Sequence, residues 1–139
     1  MLKSINHIGI AVKNAEESLK TFLDIFQFSQ YHREIVESQK VEVISFKVGD
    51  VLIELTAPTD ESSTIAKFIE KRGEGIHHIA FETGSINNEL ERLSALGLNL
   101  INPVAVPGAH EMLISFLHPK STNGVLMEIC QKNHEFQEE

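Results

Sequence analysis

Two histidines and two glutamates stand at matching places in the two halves of this chain: His7 and Glu54 in the first, His78 and Glu128 in the second. Imidazoles and carboxylates are donors for a borderline divalent ion, so the set suits cobalt, nickel, zinc or manganese. Each histidine lies in an alternating run, SINHIGIAV at 4–12 and IHHIAFE at 76–82. Strand alternation puts His7, Gly9 and Ala11 on one face and Ile8, Ile10 and Val12 on the other. His78 and Ala80 likewise oppose His77, Ile79 and Phe81. The small residues leave room on the face that carries each ligand, and the bulky ones pack under a helix. Glu54 and Glu128 sit mid-strand between large aliphatics, where a carboxylate without a partner is costly to bury. A lone strand histidine is usually a hydrogen-bonded core residue, and a lone strand glutamate usually faces solvent. Recurrence of the same pair in both halves favours a metal site instead. By parity His77 is the structural neighbour.

The elements that must position these residues repeat as well. Asn6-His7-Ile8-Gly9-Ile10 matches His77-His78-Ile79-Ala80-Phe81 at an offset of 71 residues, and Leu19 and Phe22 match Leu90 and Leu93 at the same offset. VLIEL at 51–55 matches VLMEI at 125–129 at an offset of 74, which implies a three-residue insertion in the second half. Each half reads as a strand, a helix, then two or three strands, an α+β pattern whose halves pack as a pseudo-symmetric pair. In the first half the spacing predicts strands over 4–12, 40–48 and 51–57, with a further strand at 30–37. Gly49-Asp50 forms a tight hairpin turn. A helix is predicted over 15–27, capped by Asn14 with Glu17 three positions on. A short connector helix is capped by Ser62 or Ser63 and ended by Gly73. The second half predicts strands at 76–82, 112–118 and 124–130, and a helix over 86–96 capped by Ser85 and stopped by Gly97. The whole of 1–139 reads as one domain: modules at about 4–58 and 76–131, a connector at 59–75, and a polar tail at 132–139.

Composition narrows the function. With 139 residues, 42% hydrophobic and 23% charged, the chain is an ordinary soluble domain. No run nears the roughly 18 apolar residues of a membrane span. The start reads as a strand rather than a signal peptide, so a cytoplasmic location is expected. One cysteine, Cys130, excludes an internal disulfide and a Cys-rich zinc site, and reads as a small buried side chain. The net charge of −8, without a cluster of Lys and Arg, argues against nucleic acid and against an anionic membrane surface. Among the seven histidines, His118 before Pro119 is a strand end that could touch a ligand, and His110 reads as a polar loop tip. Glu42 alternates with Lys40 and Ile44, and parity alone assigns it to a solvated face.

At INHIGIAVKN (5–14), GEGIHHIAF (73–81) and FLHPKSTNGVLMEI (116–129) the sequence resembles the vicinal-oxygen-chelate superfamily, and within it the methylmalonyl-CoA epimerase family. The resemblance runs from about residue 4 to 131. It implies two tandem βαβββ modules whose curved mixed sheets form a metal-binding cup. It also implies one divalent ion, cobalt first and nickel, zinc or manganese otherwise, held by His7, Glu54, His78 and Glu128. A homodimer and an acyl-CoA substrate are implied too. The implied reaction interconverts the (R) and (S) forms of methylmalonyl-CoA by abstracting the C2 proton through a metal-stabilised enolate. Inversion needs proton transfer on both faces of that carbon, and the resemblance assigns it to Glu42 and to Glu128, a ligand that doubles as a base. Asn6 stands where the family usually has Asp. No phosphate-cradling motif places the CoA nucleotide.

Other functions fit parts of this pattern. Glyoxalase I, acting on the methylglyoxal–glutathione hemithioacetal, uses the same four ligands; the long C-terminal motif favours the epimerase. An extradiol dioxygenase needs three open metal positions, which a fourth ligand at Glu54 removes. A metal-free binding module of this fold usually lacks the ligands present here.

Overall fold

The computed structural model describes residues 1–133; residues 134–139, most of the expected polar tail, lie outside the described residues. The chain divides into two compact units, one spanning His7–His77 and the other made of Met1–Asn6 with the residues from His78 on. Both follow the order strand, helix, three strands. The first repeat comprises β1 (Leu2–Ala11), α1 (Ala15–Phe26), β2 (His32–Val36), β3 (Val41–Val48) and β4 (Val51–Pro58). After α2 (Thr64–Arg72) come β5 (Gly75–Thr83), α3 (Ile86–Ala95), β6 (Val106–Pro107), β7 (Met112–Leu117) and β8 (Leu126–Lys132). No helix among the described residues is long and apolar enough to cross a membrane.

In the first unit the strands are hydrogen-bonded in the order β2-β3-β4-β1, with β1 and β4 parallel and the other pairs antiparallel. Gly49, at φ +61°, lets the chain reverse so tightly that Val48 pairs with Val51. The Asn14 side chain accepts the Glu17 amide at 3.0 Å and starts α1, and Gln27 ends it in the left-handed conformation. The apolar face of α1, with Ala15 and Leu19, packs on Ile44, Phe46, Leu55 and Ala57. Phe46 is fully buried, with the Phe28 ring stacked 4.5 Å away and the Phe22 ring at 6.1 Å. Burying a side chain of this size contributes roughly 2–3 kcal/mol.

The second unit repeats the arrangement as β5-β8-β7-β6, with β5 and β8 parallel. Ile86, Leu90 and Leu93 of α3 pack on Leu117 and Ile129. Ser63 caps α2 by accepting the Ile65 amide, whereas Ser62 bonds to Asp60 in the preceding turn. Two features depart from the sequence expectation. The two-residue β6 falls in a stretch read as loop, because Pro107 and a short apolar run give too weak a pattern. It turns into β7 through Gly108, where a Cβ would lie 2.8 Å from Ile114. Finally, β8 begins and ends two residues later than predicted. The turn ahead of it runs to Gly124, whose amide donates to the Pro119 carbonyl, and Lys132 pairs with Met112.

A side chain the pattern did not reveal closes the start of α3. Gln131 of β8 accepts the Ile86 amide at 2.8 Å and donates to the Gly84 carbonyl at 2.9 Å. It thus satisfies an amide that the first helical turn leaves without an internal partner. Replacing Gln131 by Ala is expected to cost about 1–2 kcal/mol of stability, read from urea unfolding midpoints. Buried Glu89, in the first turn of α3, meets Arg92 and the Met1 amino group, each at 2.9 Å. The Arg92 hydrogen bond, and then that of the amino group, hold the Glu89 carboxyl below its usual value of 4.5. The folded state therefore binds this proton less readily than the unfolded chain. The resulting stability is present above pH 4.5 and is lost as pH falls through the lower folded value. Glu89→Gln should unfold at lower urea than wild type at pH 7, with the gap closing as pH drops below 4.5.

Candidate metal centre

The parallel register of β1 on β4 sets Gly9 beside Glu54 and His7 beside Leu52. Across β4, Ser45 opposes Glu54 and Lys47 opposes Leu52. Residues side by side on neighbouring strands share a sheet face. His7, Gly9, Leu52, Glu54, Ser45 and Lys47 therefore lie on one face, opposite the one covered by α1. His7 Nε2 stands 3.5 Å from Glu54 Oε1, and both side chains are buried.

The second unit reproduces this register. Ala80 lies beside Glu128 and His78 beside Leu126. His78 Nε2 and Glu128 Oε1 are 4.0 Å apart, again buried. One neighbour differs, since Phe116 and not a serine opposes Glu128. The Phe116 ring meets the His78 imidazole edge-on, with centroids 5.5 Å apart.

Each pair fits one side of a cation site. Donors bound about 2.1 Å from one tetrahedral ion are about 3.4 Å apart, close to the first separation and a few tenths of an ångström under the second. A buried carboxylate is costly without a positive partner, and a divalent ion shared with the imidazole would supply one. His7 and Glu54 lie among the described groups whose ligand atoms are close enough to hold a metal ion.

The remaining sequence candidates fall elsewhere. His77 packs edge-on against Phe68 of α2 at 4.9 Å, and burial pushes its imidazole down to about 4, so it is neutral at pH 7. That is the structural role parity assigned to it. Cys130 is fully buried. His110 lies in the turn after Gly108 with φ +56°, and His118 Nδ1 accepts the Lys120 amide at 3.1 Å. Glu42 requires a correction. It pairs with Ala57 on β4 and Ile35 on β2, three residues from Ser45, so it lies on the face where Ile44 and Phe46 meet α1. The register does not bring it to the face of Glu54. Nor is it fully solvated, as parity alone had suggested, because it is half-buried. Ser45 and Lys47 escaped the sequence reading although a signal for them existed. Counting outward from the Gly49-Asp50 turn sets Ser45 against Glu54 and Lys47 against Leu52.

Comparison with known proteins identifies the family. Residues 6–116 match the model of the glyoxalase/bleomycin resistance protein/dioxygenase superfamily. The mitochondrial methylmalonyl-CoA epimerase of Dictyostelium discoideum is 33% identical over 92% of this chain and 78% of its own length. The ethylmalonyl-CoA/methylmalonyl-CoA epimerase of Cereibacter sphaeroides is also 33% identical, over 94% of this chain and 99% of its own. Among solved structures, a methylmalonyl-CoA epimerase variant of Streptomyces coelicolor in complex with 2-nitronate-propionyl-CoA superposes with a TM-score of 0.91. It is 31% identical, and the match covers 95% of this chain and 96% of that one. The chain belongs to the glyoxalase/bleomycin resistance/dioxygenase superfamily and, within it, to the family of the methylmalonyl-CoA epimerases.

Proposed function

We propose that this protein is a metal-dependent epimerase that interconverts the (R) and (S) forms of methylmalonyl-CoA. The observation that carries the proposal is the buried His–Glu pair recurring in the same strand register in both units, in a chain whose epimerase relatives match it nearly end to end. His7, Glu54, His78 and Glu128 would together hold one divalent ion, cobalt first. Such an ion supplies Lewis-acid polarisation of the thioester and carboxylate oxygens that flank C2.

The protein's own groups handle the proton. C2 is acidic because two carbonyl groups flank it, and inversion requires the proton to leave from one side and return on the other. We assign one of these transfers to the carboxylate of Glu128. Phe116, opposite Glu128 on β7, gives that carboxylate an apolar neighbour. Since Glu42 lies on the α1 side of its sheet, the transfer on the opposite side of C2 falls to another group. A homodimer, which the family resemblance implies, is part of the same proposal.

The test is isotope exchange in deuterated water. Cobalt-loaded protein is expected to place deuterium at C2 of methylmalonyl-CoA and to interconvert the two epimers, well above a chelator-treated control that corrects for spontaneous exchange. No exchange, with lactoylglutathione formed from the methylglyoxal–glutathione adduct, would show that the protein is glyoxalase I. Binding of acyl-CoA without metal or turnover would instead identify a binding module. His78→Ala should lose both stoichiometric metal and exchange, and full activity in that variant would overturn the site.

The two glutamates are separated by a second comparison. Glu128→Gln is expected to slow exchange by about 10²-fold or more, the usual contribution of a positioned acid–base group. Glu42→Gln should stay within about threefold of wild type, since its carboxylate never reaches the substrate face; a loss of the Glu128→Gln size would reverse that assignment.

A further inference from the structure

We infer that Lys47 recognises an anionic group of the acyl-CoA substrate. The inference rests on the epimerase reading and extends it to a residue that neither the metal site nor the proton transfer uses. Lys47 occupies β3 two residues beyond Ser45, so its side chain leaves the sheet on the face that carries His7 and Glu54. The row across the three strands is Lys47, Leu52, His7, adjacent to the row Ser45, Glu54, Gly9. Whereas Ser45 is buried, Lys47 is exposed. It thus stands where this face of the sheet opens to solvent, within one strand repeat of the ligand row.

The charge balance favours such a residue. The protein carries a net −8, while the substrate is a carboxylate joined to a polyphosphorylated carrier. Repulsion between the two must be overcome locally, by cations placed on the binding face. Three other cations of the same unit are engaged elsewhere. Arg33 pairs with Glu16, Lys40 bonds to Ser62, and Arg72 lies over the Phe68 ring. The second repeat supplies a parallel. Moved by the repeat offset of 71, Lys47 falls on His118, two residues beyond Phe116. The His118 imidazole accepts the Lys120 amide through Nδ1, which leaves Nε2 carrying the N–H. In each repeat the residue two positions beyond the one facing the glutamate carries a nitrogen donor.

Steady-state kinetics of Lys47→Ala and Lys47→Arg would test the inference, using methylmalonyl-CoA and the pantetheine thioester of the same acyl group, which lacks the nucleotide phosphates. Lys47→Ala should raise KM for methylmalonyl-CoA about tenfold, as loss of a hydrogen bond to a charged group does, with kcat nearly unchanged. It should also flatten the rise of KM with salt, and Lys47→Arg should restore most of the affinity. Bound metal and thermal unfolding should match wild type. A rise confined to the CoA ester assigns Lys47 to a phosphate, and a rise with both esters assigns it to the acyl carboxylate. Unchanged KM for both esters would overturn the inference, as would a KM rise accompanied by loss of metal. Failure of the epimerase reading would show separately, as absence of turnover in the wild type.

Discussion

Parallel pairing of the first and last strand of each repeat is the constraint on which the rest of the structure depends. It sets Gly9 beside Glu54 and Ala80 beside Glu128. A neighbour with no side chain, or only a methyl, leaves the carboxylate lateral room on a close-packed sheet. It also brings the histidine two residues back along the first strand diagonally within 3.5 or 4.0 Å of that carboxylate. A slip of one residue would turn the glutamate to the helix side, where it would displace core apolar groups. Register and function are therefore the same requirement in these strands.

That register is held from the other face. Ile44, Phe46, Leu55 and Ala57 meet α1 in the first unit, as Leu117 and Ile129 meet α3 in the second. Each large residue contributes about 2 kcal/mol or more when buried. Several together outweigh the cost of keeping a carboxylate and an imidazole out of water, which is a few kcal/mol per group after relaxation. The apolar face thus selects the register, and the polar face is carried with it. Gln131 and Asn102 add local anchors: Gln131 fixes the start of α3, and Asn102 accepts the Phe116 amide at 3.0 Å. The helix and the loop bearing Asn102 are thereby tied to the sheet that presents Glu128.

How much of this was legible in the sequence depended on how local the determining pattern was. The strands bearing His7, Glu54, His78 and Glu128 and the three helices were readable, because alternation, helical spacing and caps such as Asn14 and Ser85 act within a few residues. The repeat offset made the two His–Glu pairs visible as equivalents. The short β6 and the late start of β8 were not readable, since a strained turn after Gly108 and a turn closing at Gly124 are settled by packing with distant residues. Glu42 shows a different failure. Its residue type fitted a family role and parity alone put it on a solvated face, whereas the register leaves it half-buried on the α1 side of the sheet. The gap between Tyr31 and Lys40 hides how the strand should align, whereas the hairpin at Gly49-Asp50 states the pairing outright.

The two repeats are alike at the residues assigned to the proposed ion and unlike at the residues opposite the two carboxylates. Histidine, small neighbour and glutamate recur in one register in both repeats. The residues opposite the carboxylates differ, serine against Glu54 and phenylalanine against Glu128. A hydroxyl beside a carboxylate can hold it in one orientation, whereas an aromatic ring offers packing and no hydrogen bond. The first pair is thereby suited to a constant grip and the second to a carboxylate whose interactions change during a reaction. The proposed epimerisation would call for that combination, since the two faces of C2 must be treated by different groups. A strictly symmetric site would bind the ion equally well, but it would offer nothing that distinguishes a group that holds from one that moves a proton.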